Sequence, residues 1–102
     1  MADLNNTGND VDSIKVSAST TSSKIAVGAT DTTILASNAD RKKAIIVNDS
    51  DEVIYLNLSA TAVMNEGIRL NANGGSYIEE MYTGEISGIC ASGSKNVTIT
   101  EI

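Results

Sequence analysis

The chain reads as an all-β protein: an antiparallel β-sandwich or small barrel of jelly-roll or immunoglobulin-like type. It is built from roughly seven to nine short strands and carries an extended N-terminal arm. Three observations predict this. β-branched runs recur about every ten residues, separated by clusters of Gly, Asn, Asp and Ser. No segment keeps a helical period for three turns. The 102 residues include no Pro, so nothing in the chain withholds a backbone donor from a sheet ladder.

Residues 1–24 form a zone of their own, rich in Asn, Asp, Ser and Thr, and Ser17–Ser23 is low-complexity. Such a stretch buries too little apolar area to offset its ordering entropy alone. It reads either as a free polar tail or, more sharply, as an arm that orders on a partner, with Leu4, Val11, Ile14 and Val16 as its apolar anchors. Residues 25–102 are the expected folded domain.

Thr32–Ala36 is a short β-branched run. Lys43–Val47 is apolar on both faces, as a central strand is. Val53–Leu58 sets Ile54, Leu56 and Leu58 on one face, and the polar Asn48–Glu52 between these two runs has the length of a hairpin turn. Ser59–Glu66 has room for one helical turn capped by Ser59 and ended by Gly67. Gly67–Leu70 and Ser76–Glu79 are strands around an Asn71–Gly75 turn whose glycines permit positive φ. Gly84–Ala91 and Lys95–Thr100 flank Ser92-Gly93-Ser94, a hairpin signal; Val97 and Ile99 face one way, Thr98 and Thr100 the other.

Composition narrows the chemistry. The chain has three Tyr and no Phe or Trp, so its core is aliphatic. It has no His, which removes Ser-His-Asp and Cys-His catalysis and imidazole metal sites, and a single Cys, which removes an internal disulfide and a zinc ribbon. No catalytic residue, metal site or cofactor is expected, and the chain reads as no enzyme. No apolar run approaches the ~20 residues of a membrane helix, and the first residues lack a basic start and an apolar stretch, so neither a membrane segment nor a secretory signal is expected. A net charge of −6 with seven basic residues disfavours nucleic acid.

Each reactive-looking residue has a plainer reading. Cys90, inside Ile89-Cys90-Ala91, reads as a small buried hydrophobe rather than a reactive thiol. Asn48–Glu52 offers carboxylates but lacks the Gly and spaced Glu of a calcium loop. Glu79 and Glu80 point to opposite faces of a strand and make a poor acid–base pair. Gly74-Gly75 is followed by no Lys-Ser/Thr and is a turn rather than a phosphate loop. Arg41, Lys42 and Lys43 form the basic cluster, either a solvated sheet edge or a grip on an acidic partner.

From Thr32 onward the chain resembles small all-β bacteriophage virion accessory proteins of the head decoration, or cement, type. The resemblance lies in Asp40-Arg41-Lys42 leading to a strand that ends in Asn48, in Val53-Ile54-Tyr55-Leu56, Gly67-Ile68-Arg69-Leu70 and Gly74-Gly75-Ser76-Tyr77. It continues in Tyr82–Ile89 and Val97–Glu101. It implies a structural protein on the capsid exterior that reinforces contacts between major capsid subunits, as a homotrimer. Leu4, Val11, Ile14, Val16, Arg41, Lys42 and Lys43 are then the expected partner contacts. The alternatives are a tail or head–tail accessory protein, or a carbohydrate-binding host-adhesion module.

Overall fold

The computed structural model describes residues 20–59 and 61–102. Eight strands run in the order β1 (Thr21–Val27), β2 (Thr32–Leu35), β3 (Ala44–Asn48), β4 (Ile54–Asn57), β5 (Ile68–Leu70), β6 (Ser76–Glu79), β7 (Ile86–Cys90) and β8 (Lys95–Glu101). They form two antiparallel four-stranded sheets, β1-β8-β3-β6 and β2-β7-β4-β5, and the described residues contain no helix.

The pairing has a simple logic. The first strand pairs with the last, β2 with β7, β3 with β6, and β4 with β5. This is one long antiparallel ribbon whose closed end is the β4–β5 hairpin. Winding the ribbon brings β3 onto β8 and β4 onto β7, which completes two sheets in jelly-roll order. The sandwich expected from the strand pattern is present, and its order selects the jelly roll over the immunoglobulin arrangement.

Inward residues of both sheets supply the core: Val27, Ile34, Ile46, Ile54, Leu56, Leu70, Ile86, Cys90, Val97 and Ile99. It is aliphatic apart from Cys90, as the shortage of aromatics requires. In β8 the alternation is clean, with Val97 and Ile99 buried and Thr98 exposed.

Three local expectations are corrected. Asn48–Glu52 and Ser92–Ser94 do not close hairpins, because β3 and β4, like β7 and β8, lie in different sheets. A short polar loop serves a sheet crossing as well as a hairpin. At the first crossing the buried Asn48 amide donates to the carbonyls of Glu52, Leu70 and Asn71, drawing the chain toward the opposite sheet. Thr61–Gly67 forms turns and no helix; Asn65 and Gly67 sit at positive φ (67° and 89°), which breaks helical geometry. Finally, Thr21–Lys24, assigned above to the arm, are strand residues of β1, paired with Glu101 through Thr98 of β8.

Candidate partner-binding surface

Arg41 does not face a partner. It is 3% exposed and reaches into one end of the sandwich, where Nε meets Glu101 Oε2 at 2.8 Å. Its remaining nitrogens donate to the carbonyls of Tyr82 (3.0 Å), Gly84 (3.2 Å) and Ala36 (2.8 Å). The planar fork of a guanidinium suits such a fan of acceptors, and burial without these partners would be prohibitive. Arg41 is therefore an internal clamp joining β8 to the loops before β3 and after β6, which corrects its assignment as a contact residue.

Lys42 and Lys43 differ from it. Their backbone N–H groups both donate to the Ile102 carbonyl and continue the β3–β8 ladder, while their side chains remain partly exposed. Lys43 Nζ lies 3.7 Å from Glu80 Oε2, a surface pair that holds little energy. The basic triplet is thus split between interior and surface. Leu4, Val11, Ile14 and Val16 lie outside the described residues.

The acidic loop is tied across the surface to Ser92 and Lys95. Asp51 pairs with Lys95 at 2.8 Å, which lowers the carboxyl and raises the ammonium relative to their ordinary ranges. Glu52 accepts from the N–H and hydroxyl of Ser92, which lowers its pKa. Among the described residues no three His, Cys, Asp or Glu gather as a metal site would require. Cys90 is fully buried, its Sγ donating to the Val27 carbonyl at 3.3 Å, and burial pushes its thiol pKa up. A thiol so placed is packing rather than nucleophile.

The surface that sequence reasoning missed is the outer face of the β1-β8-β3-β6 sheet. The register lines up Ser22, Thr100, Ile45 and Ile78 in one row, and Lys24, Thr98, Val47 and Ser76 in the next. Ile78 is 54% exposed, and Met81, just beyond β6, is 85% exposed. In β6 the usual pattern is inverted: Glu79 points inward and Ile78 outward. Glu79 tolerates burial because its carboxylate accepts from Tyr77 Oη at 2.6 Å and from the N–H groups of Met81 and Tyr82, both at 2.8 Å. Those bonds, the tyrosine's first, hold its pKa below the usual carboxylate range. The available signal was Ile45 and Val47 on the second face of β3, which was read only as the mark of a central strand.

The other sheet's outer face is partly roofed. Ser87 is buried there and its hydroxyl donates to the Ser59 carbonyl; Asn57 binds Ser59 and the Thr61 carbonyl; the Ala62 N–H donates to Asp31. The loop between β4 and β5 thus lies over that sheet. No protein-family model, curated protein or solved structure matches this chain.

Proposed function

We propose that this protein is a non-enzymatic bacteriophage capsid decoration protein, bound to the outer surface of the head as a homotrimer and reinforcing contacts between major capsid subunits. The observation that carries the reading is the jelly-roll ribbon, whose free-edge strand β1 is the direct continuation of the N-terminal segment. The jelly roll is a common architecture of viral structural domains, an analogy of fold rather than of chemistry. An edge strand joined to a segment bearing Leu4, Val11, Ile14 and Val16 is a means of reaching a neighbouring subunit, by apolar anchoring or by strand addition. The polar chemistry of the described domain supports the same role. Arg41, Asn48, Glu52 and Glu79 all brace loops at the ends of the sandwich, giving a stiff module with few groups left for turnover.

The carbohydrate-binding alternative draws less support. Tyr77 and Tyr82 pack against the core, leaving Tyr55 as the remaining aromatic for a sugar face.

The test is cosedimentation of the full-length protein with undecorated phage heads, with its position on the particle found by electron microscopy. Saturable binding to the head exterior at a repeating symmetry position is expected. Replacing Leu4, Val11, Ile14 and Val16 together by Ser is expected to weaken it at least tenfold, equivalent to ~1.4 kcal/mol. Absence from heads, or binding at a tail position in tens of copies, overturns the reading.

A further inference from the structure

We propose that Asn73 is a site of spontaneous covalent modification, conversion of its side-chain amide to aspartate and isoaspartate, and that the fold restrains this conversion through the Asn48 carbonyl. Asn73 is followed by glycine, whereas every other asparagine of the chain is followed by a residue that carries a Cβ. Glycine leaves the peptide nitrogen after Asn73 uncrowded, and a Cβ built on Gly74 would meet nothing within 4 Å. Asn73 and Gly74 are both exposed, so water and hydroxide reach them.

The chemistry needs no cofactor. The Gly74 nitrogen gives up its proton to solvent base and attacks Asn73 Cγ. A C–N bond forms, the side-chain nitrogen leaves as ammonia, and a five-membered succinimide remains. Water then opens either carbonyl of that ring. One opening gives aspartate. The other gives isoaspartate, whose main chain runs through Cβ and is one carbon longer. Each product has exchanged an amide nitrogen for an oxygen and gained one negative charge.

In the folded protein the attacking nitrogen is occupied. The Gly74 N–H donates to the Asn48 carbonyl at 2.8 Å, the Asn73 N–H donates to the Ser50 carbonyl at 2.7 Å, and the Asn48 N–H donates to the Gly75 carbonyl at 2.7 Å. Ring closure has to break the first of these bonds and turn the chain at Asn73, which the turn holds at φ 60°. The turn therefore opens before the reaction proceeds, and the native rate reports that opening. Exposed loop tips open at lower free energy than the whole domain. The product acts back on the fold: the extra carbon of isoaspartate carries the Gly74 N–H away from the Asn48 carbonyl, at the sheet crossing that the Asn48 side chain braces. None of this depends on the function proposed above.

The experiment follows each asparagine by peptide-mapping mass spectrometry while purified full-length protein stands at mildly alkaline pH, native or unfolded in guanidinium chloride. In the unfolded chain Asn73 is expected to convert ahead of every other asparagine. In the native protein it is expected to convert at least about tenfold more slowly, which corresponds to ~1.4 kcal/mol of turn opening. Gly74→Ala is expected to remove the lead of Asn73 in the unfolded chain, where folding plays no part. The isoaspartate-containing fraction is expected to unfold at lower denaturant than Asn73→Asp, which carries the same charge on an ordinary main chain. Another asparagine leading in the unfolded chain, equal native and unfolded rates at Asn73, or equal unfolding midpoints for isoaspartate and Asn73→Asp overturns the proposal.

Discussion

Arg41 Nε and Glu101 Oε2 lie 2.8 Å apart at one end of the sandwich, sixty residues apart in sequence. The pair closes the sheet where β8 ends and the chain turns into β3. Removing the guanidinium takes this donor from three carbonyls and leaves Glu101 Oε2 with the Asn38 amide alone. Arg41→Ala is expected to cost about 3 kcal/mol, since breaking one side of a buried pair is worth more than the pair itself. Arg41→Lys keeps the charge but lacks the fork, and recovers only part of the loss. Lys42→Ala is expected to stay within about 0.5 kcal/mol. Urea midpoints at constant slope check all three; equal effects of Arg41→Ala and Lys42→Ala refute the clamp.

Asn48 plays the corresponding part at a sheet crossing. Fully buried, it donates to three carbonyls and accepts from the Ser50 hydroxyl at 2.6 Å. Each buried group left unpaired costs about 1–3 kcal/mol. Asn48→Ala is expected to lose at least about 3 kcal/mol in chemical denaturation. Asn48→Asp is expected to be worse, because it replaces the donors with a carboxylate among carbonyl oxygens.

Tyr77 and Glu79 predict a stability profile that falls at both pH extremes. The Glu79 carboxyl is depressed below the unfolded value of about 4.3, so its contribution is complete above that pH and is lost as pH falls through the lower folded value. The Tyr77 phenol is pushed up to about 12, first by its hydrogen bond to Glu79. Its contribution is present below the unfolded value near 10 and is lost as pH climbs from about 10 toward 12. Tyr77→Phe is expected to move the acid-unfolding midpoint upward and remove this alkaline loss. A Tyr77 that ionises near pH 10 in the folded protein, read as the ultraviolet absorbance difference between wild type and Tyr77→Phe, contradicts the pairing.

Gly67 is held at φ +89°, and a Cβ there would lie 2.2 Å from the Leu56 carbonyl oxygen, which is backbone and cannot step aside. Gly67→Ala combines about 1–3 kcal/mol of backbone strain with a displacement of β4 from β5. Gly74, at φ +114° with open space around it, carries the strain alone. Thermal melts are expected to rank Gly67→Ala well below Gly74→Ala; the reverse order defeats this account.

Period-two alternation made seven of the eight strands legible within a residue or two at their ends, because the sequence of apolar and polar residues records which face each side chain takes. β1 was missed. Thr21-Ser22-Ser23-Lys24 has no apolar alternation, and only Ile25 and Val27 turn to the core; the strand forms because β8 offers a long ladder to pair with. Within the candidate surface, Lys42 and Lys43 were legible as surface residues, but the inward turn of Arg41 was not. Its acceptors come from Ala36, Tyr82, Gly84 and Glu101, scattered along the chain.

The sequence by itself determined an aliphatic all-β domain without imidazole chemistry, since strand periodicity and residue inventory are local properties. Tertiary structure alone decided that β1 meets β8, that short polar loops cross between sheets, and that Glu79 lies inside and Ile78 outside. The physical reason is that alternation specifies faces, whereas pairing depends on which edges the wound ribbon brings within hydrogen-bonding distance.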